Sequence, residues 1–343
     1  MNILVLAGGI STERDVSLTS GKNVVNALKK AGHNAKMLDL FLGCEDEEAA
    51  CFFENEQEYD AQSVIGLIDP SIEEVKAARG NEISGLFGKN VIEICKKADI
   101  VFLALHGEDG ENGKVQATFD LLGIRYTGSG SLASAIAMNK YISKQLMFAH
   151  GIKNAEYIVL RNGDCALPPF GVPCVIKPSS GGSSVGVSIV MNESDYEKAV
   201  KAAFKYENEI IVEQYLKGRE FSVGVLGDKV LPPIEIIPKA GFYDYANKYQ
   251  PGMTDEICPA ELSEEETKRI QESAKAVFDV LELEVYGRID LIYNEADKEF
   301  YALEANSLPG MTGMSLLPQE AAAIGIDYPA LCDKIVRLSL EKY

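Results

Sequence analysis

The chain of 343 residues is short of basic charge, with 33 Lys and Arg against 52 Asp and Glu and a net charge of −19. Such an excess repels phosphate backbones and anionic lipid surfaces at long range, so neither nucleic acid nor a membrane is an expected partner. Much of the charge is local. Glu45 to Asp60 holds eight acids in sixteen residues without a Lys or Arg, the pattern of a solvated face or loop. Histidine is scarce too: His33, His106 and His150 lie far apart and form no zinc pattern. The seven cysteines, Cys44, Cys51, Cys95, Cys165, Cys174, Cys258 and Cys332, are odd in number and contain no C-x-x-C pair, so they are read as reduced. No apolar run approaches the ~20 residues of a membrane span. The opening MNILVLAGG reads as a buried strand rather than a basic leader, and there is no internal repeat or low-complexity linker. The expected setting is the cytoplasm.

What is present is a globular composition, 46% hydrophobic, long enough for two or three domains. The first part alternates strand and helix: Ile3–Leu6, a helix from about Val16 to Ala31, and the strand Ile100–Leu105. That order predicts a parallel sheet with crossover helices over residues 1–128, interrupted by an acidic insertion at 41–86. A second unit, 129–212, is expected to be antiparallel α+β. It has a helix over Ala133–His150, strands at Tyr157–Leu160, Val175–Lys177 and Val185–Val190, and a helix over Ser194–Phe204. A third unit, 213–343, carries strands at Glu220–Leu226, Ile234–Ile237, Gly287–Tyr293 and Phe300–Glu304 and a helix over Ser263–Leu281.

The stretch KPSSGGSSVG, residues 177–186, follows an apolar run and precedes a strand-like one. Glycines let backbone N–H groups converge on an anion, and serine hydroxyls add donors. A Walker-type loop has its lysine after the glycines and opens a helix, whereas here Lys177 comes first. The order predicts a β-hairpin flap over a phosphate; a plain solvent-exposed hairpin tip is the alternative.

GRIDLIY (287–293) and FYALEAN (300–306) read as a hairpin in which Asp290, Glu304 and Asn306 face one side. Two carboxylates and an amide oxygen suit a hard cation such as Mg²⁺, while the wet face of an ordinary hairpin is the alternative. Lys140 and Lys177 lie in the second unit, and Glu213 and Glu220 open the third. Glu213 would accept from adenine's amino group, the backbone from Gln214 to Leu216 would meet the ring edge, and Glu220 would take the ribose hydroxyls. Each such residue alone is more often a surface residue. Together they make a phosphate-plus-metal constellation.

With these residues in place the chain resembles the D-alanine–D-alanine ligases of the ATP-grasp superfamily. The matching stretches are LAGGISTERDVSLTSG (6–21), ALHGEDGENGKVQ (104–116), YTGSG with SAIAMNK (126–140), VIKPSSGGSSVGVS (175–188), FYDYANKY (242–249), YGRIDL (286–291) and LEANSLPGMTGMSL (303–316). The resemblance covers nearly the whole chain apart from the acidic stretch. It implies a three-domain ATP-grasp architecture with a Rossmann-like N-terminal domain, and ligation of two D-alanines through a D-alanyl phosphate for peptidoglycan precursors. It also implies ATP, two Mg²⁺ (or Mn²⁺) ions and a homodimer.

Residue by residue, the resemblance assigns Glu13 to the ammonium of the first D-alanine, with Val16 and His106 beside that substrate. It assigns Arg288 and the N–H of Gly310 to the oxyanion. Ser315 and Leu316 go to the carboxylate of the second D-alanine. Lys140, Lys177, Ser184, Phe242 and Lys248 belong with the nucleotide, as do Glu213, Gln214, Leu216 and Glu220. Asp290, Glu304 and Asn306 are the implied metal ligands. Ser183 would reach Tyr249 as the flap closes, and a tyrosine at 249 goes with a dipeptide product rather than D-alanyl-D-lactate. Departures from the family pattern are Gly181 where a glutamate is usual, Met314 where a histidine is usual, and Ser307 for threonine. An acceptor such as D-serine is the first alternative reading. A nucleotide-binding regulatory protein without turnover is the rival from another class.

Overall fold

The apolar run at residues 3–6 forms the middle of a parallel sheet. β1 (Asn2–Ala7) lies between β2 (Asn34–Asp39) and β3 (Ile100–Leu103). A strand flanked on both sides and covered on both faces is buried throughout, so Ile3, Leu4, Val5 and Leu6 are apolar without alternation. Parallel pairing needs a crossover, and the helix Arg14–Lys30 supplies it between β1 and β2. This computed structural model describes residues 1–54, 71–79, 84–182, 184–239 and 252–343. Part of the expected insertion thus lies outside the described residues; short helices at Asp46–Ala50 and Ile72–Arg79 occupy described parts of it.

Where the first crossover leaves the sheet, buried Arg14 pairs with fully buried Asp39. Asp39 Oδ1 also accepts from the N–H groups of Phe41 and Leu42 at 2.8 and 2.9 Å. Gly8 passes over this pair with φ of +78°, and a Cβ there would lie 2.3 Å from Asp39 Oδ2, so only glycine fits.

The second sheet is antiparallel, in the order β4 (Tyr157–Arg161), β7 (Glu209–Gln214), β5 (Cys174–Pro178), β6 (Ser188–Val190), with the helix Glu193–Ala203 packed on it. β7 straddles the expected boundary at 212/213 but pairs within this sheet at every position, from Glu209↔Arg161 to Glu213↔Tyr157. The flap is a β5–β6 hairpin, as Cys174↔Val190 and Ile176↔Ser188 show. Its second strand is shorter than expected. Ser184 has φ of +60° and accepts from the N–H of Val187 at 3.2 Å, so the chain is still turning there and pairs only from Ser188.

The third sheet runs β11 (Thr254–Ile257), β10 (Ile234–Pro238), β8 (Gly218–Leu226), β12 (Tyr286–Asn294), β13 (Glu299–Asn306), with β9 (Lys229–Val230) pairing β8. Glu264–Val280 covers one face and starts at a capping box of Ser263 and Glu266. The N-terminal core continues into Tyr286, Leu317 and Ile335, so the C-terminal helices pack against the first sheet as well as the third. Among the described residues no helix is long and apolar enough to cross a membrane, and all seven cysteines are free thiols.

One expectation fails informatively. The single helix predicted over Ala133–His150 is two helices, Ser131–Met138 and Lys140–Ala149, broken at Asn139. Asn139 is extended, with ψ of 100°, and its side chain accepts from the N–H of Ile142 as an N-cap. The break frees the N–H of Lys140, which donates to Ser179 O at 2.8 Å at the base of the flap.

Candidate active site

The second and third sheets face each other across a cavity of about 450 Å³. Nine residues singled out from the sequence line it: Lys140, Lys177, Ser184, Glu213, Gln214, Leu216, Glu220, Asp290 and Glu304. Between the polar groups its walls are apolar, with Val175, Val187, Ile189, Ile236 and Leu303 contributing. This is the composition of a small-molecule site, apolar with a few aimed polar groups. Lys177 and Glu213 are both nearly buried and pair at 2.9 Å. Lys140 Nζ donates to Gly181 O at 2.5 Å and stands 3.5 Å from Glu304 Oε2.

At one edge of the cavity β12 and β13 align four polar side chains. Arg288 is opposite Asn306 and Asp290 opposite Glu304, and two-residue spacing places all four on one face. Arg288 donates to both oxygens of Asp290, at 2.9 and 2.8 Å, and the Asn306 amide donates to Asp290 Oδ2 at 3.1 Å. Among the described residues no three His, Cys, Asp or Glu gather into a metal-binding group. The expected set is two carboxylates and an amide, and these three oxygen donors do share a face. They fit a hard cation.

Beyond Arg288 lies a second cluster, where the first unit meets the 306–316 segment. Glu13 is 8% exposed at the start of the helix Arg14–Lys30. The flap reaches it: a Cβ on Gly182 would lie 3.0 Å from Glu13 Oε2. His106 spans the seam, with Nδ1 3.1 Å from Leu308 O and Nε2 3.0 Å from Ser20 Oγ. A carbonyl only accepts, so Nδ1 carries the proton, and burial pushes the imidazole pKa down, leaving Nε2 to accept from Ser20. Val16 is core, 2% exposed. Gly310 lies so near Ser315 that a Cβ would be 2.7 Å from its hydroxyl oxygen. Ser315 occupies the N-cap position of the helix Leu316–Ala323 without a side-chain cap bond, and its Oγ accepts from the N–H of Thr312 at 2.9 Å. Leu316 opens that helix, where backbone N–H groups lack intrahelical partners. Ser183, Phe242, Lys248 and Tyr249 lie outside the described residues.

Three further ionisable residues were not singled out as site residues from the sequence. Glu111 accepts from the N–H of Gly107 at 3.0 Å and of Leu308 at 3.4 Å. Burial and the neighbouring charge of Glu13 push its carboxyl up to about 8. Glu320 is fully buried, accepts from the N–H of Gly224 at 2.5 Å and is likewise raised to about 8 by burial. Lys144 is 1% exposed and 3.0 Å from Glu213 Oε1. A signal for Lys144 was available: Lys140, Ser143, Lys144 and Met147 are the buried positions of their helix, at helical spacing.

Two family models match the chain, "D-ala D-ala ligase N-terminus" over residues 2–129 and "D-ala D-ala ligase C-terminus" over 146–337. A curated D-alanine–D-alanine ligase of Pediococcus pentosaceus is 47% identical over 341 residues, covering 98% of this chain and 97% of that protein. One from Lacticaseibacillus casei is 46% identical, covering 100% and 97%. Among solved structures, a D-alanine–D-alanine ligase of Bacillus anthracis superposes with a TM-score of 0.76 at 32% identity, covering 100% of this chain and 98% of that one. The same enzyme complexed with ATP has a TM-score of 0.76 at 31% identity. That likeness extends over the three-sheet, mixed α/β architecture described above, which is the ATP-grasp fold. With both halves matched and relatives aligned end to end, the chain belongs to the D-alanine–D-alanine ligase family.

Proposed function

We propose that this protein uses ATP to join two D-alanines into D-alanyl-D-alanine through a D-alanyl phosphate, for peptidoglycan precursors. The observation that carries this is the meeting of two clusters at one strand: Asp290 lines the lysine-and-carboxylate cavity, and its partner Arg288 lies within electrostatic reach of His106, as does Glu13. In this reading Lys140 and Lys177 take the nucleotide phosphates, with Ser184 on the flap above them. Glu213, Gln214, Leu216 and Glu220 take the adenosine. Glu13 pairs with the first D-alanine's ammonium, leaving its carboxylate oxygen to attack the γ-phosphorus as ADP departs. The second D-alanine's carboxylate meets the Ser315 hydroxyl and the Leu316 N–H. Its amine, having lost a proton, attacks the acyl carbon, and inorganic phosphate leaves. Arg288 and the Gly310 N–H stabilise the charge on the oxygen between these events. Asp290, Glu304 and Asn306 would hold Mg²⁺ or Mn²⁺, which when bound neutralises phosphate charge. The roles of Ser183, Tyr249, Phe242 and Lys248 rest on the family resemblance alone, as does the homodimer; the cytoplasmic setting rests on the sequence reading.

Product analysis tests the reading. The protein with ATP, Mg²⁺ and D-alanine should release ADP and phosphate together with one dipeptide per ADP, detected by mass spectrometry. Parallel reactions with added D-serine or D-lactate should give D-alanyl-D-alanine as the main product. ADP release independent of D-alanine, with no dipeptide, favours a nucleotide-binding regulator, and a mixed product with D-serine favours the alternative acceptor.

A further inference from the structure

One carboxylate in the cavity serves two ammonium groups. Glu213 Oε2 is 2.9 Å from Lys177 Nζ, and Oε1 is 3.0 Å from Lys144 Nζ. The two lysines differ in freedom. Lys177 lines the cavity, whereas Lys144 lies behind its wall, 1% exposed, with the Tyr157 ring centroid 5.6 Å from its ammonium. Lys140, one helical turn before Lys144, is turned elsewhere, to Gly181 O. Burial would raise the Glu213 pKa, but the charges of Lys144 and Lys177 outweigh it and hold the group low. Lys144 itself is pushed down by burial and by the proximity of Lys177.

If Lys177 turns to a phosphate, Glu213 loses half of its compensation, and a carboxylate left alone in such a place takes up a proton. We propose that Lys144 is a positioning residue for base recognition, anchoring Glu213 so that it stays a fixed, ionised acceptor when Lys177 engages the nucleotide phosphates. This rests on the reading above that Glu213 meets the base. An ionised carboxylate only accepts hydrogen bonds, so it suits the 6-amino group of adenine and rejects the 6-oxo group of hypoxanthine. A protonated carboxyl also donates, and loses that distinction.

The test compares ATP with ITP in the full-length enzyme. Lys144→Met keeps length and apolar bulk while removing the charge. It should raise KM for ATP by about tenfold with kcat and KM for D-alanine close to wild type, and lower the ATP-to-ITP ratio of kcat/KM by about tenfold. Glu213→Gln is the control. If it leaves KM for ATP and the ratio unchanged, Glu213 does not meet the base, and the reading beneath the proposal fails with it. If it moves the ratio while Lys144→Met does not, only the proposal is overturned. A Lys144→Met protein that melts lower and loses kcat and every KM together, at an unchanged ratio, has lost a structural ion pair, which also overturns it. Should that variant not fold, Lys144→Gln, which keeps a polar side chain without the charge, is read the same way: the ratio should drop, and an unchanged ratio refutes the assignment.

Discussion

The guanidinium of Arg288 holds both carboxylate oxygens of Asp290, two residues further along β12, at 2.9 and 2.8 Å. The pair keeps a cation and an anion ready at the junction of the two clusters, each compensating the other until substrates arrive.

Asp290→Asn removes the carboxylate and keeps its shape. Ligation should fall on the order of 10³-fold, the scale of losing one cation's contribution to phosphoryl transfer. The fold should survive, and a melt accompanies the kinetics because Arg288 loses its charged partner. Near-wild-type turnover at saturating Mg²⁺ would take Asp290 out of the metal set; Glu304→Gln should behave alike.

Arg288→Ala should lower kcat by roughly two to three orders of magnitude with KM for ATP little altered, because the interaction belongs to the transition state. The contrary pattern, weak ATP binding at full kcat, contradicts an oxyanion role. Asp290 loses its partner in this variant, so a circular-dichroism melt accompanies the kinetics.

Gly182→Ala tests the flap's approach to Glu13. The added Cβ would sit 3.0 Å from Glu13 Oε2, the far end of a side chain that can give way. Stability should therefore shift by less than about 0.5 kcal/mol. The displaced carboxylate should cost about tenfold in KM for D-alanine, more than in KM for ATP, although Gly182 also lines the nucleotide cavity. Equal losses for both substrates would count against a role for Glu13 at the D-alanine ammonium.

Glu320 makes stability depend on pH in a predictable sense. Its pKa is raised from 4.5 to about 8 in the folded protein, by burial. Between those values the folded state binds a proton that the unfolded state has lost, so this group's contribution to stability declines as pH rises through the window and is gone above it. Glu320→Gln, which retains an acceptor for the Gly224 N–H, should melt higher than wild type near about pH 8.5, with the gap closing towards about pH 5. A gap that widens on acidification would show that Glu320 is ionised in the fold.

Asp39→Ala should be among the most destabilising substitutions in the N-terminal unit. It leaves Arg14 as a buried cation and orphans the N–H groups of Phe41 and Leu42. The expected loss is about 3–5 kcal/mol, measured by denaturant melts. A loss under about 1 kcal/mol would mean that the pair is solvated.

The sequence by itself determined the elements whose causes are local. Alternation and apolar runs set β1, β12 and β13, and Ser263 with Glu266 set the start of Glu264–Val280. The one-face pairing of Asp290 with Glu304 follows from the two-residue period of a hairpin. Strand length at the flap was less legible, because turning at Ser184 depends on backbone angles that Gly-Ser composition permits but does not dictate. Tertiary structure alone decided which charges are buried and with whom. Lys144 meets Glu213 across two elements, Gly224 receives Glu320 from 96 residues away, and His106 joins Ser20 to Leu308. The physical reason is that a backbone pattern is repeated over many residues and so can be read, whereas a buried charge is one residue whose partner lies far along the chain. Helical spacing can mark Lys144 as inward-facing, but only the tertiary fold brings it the Glu213 carboxylate of β7 that makes burial tolerable.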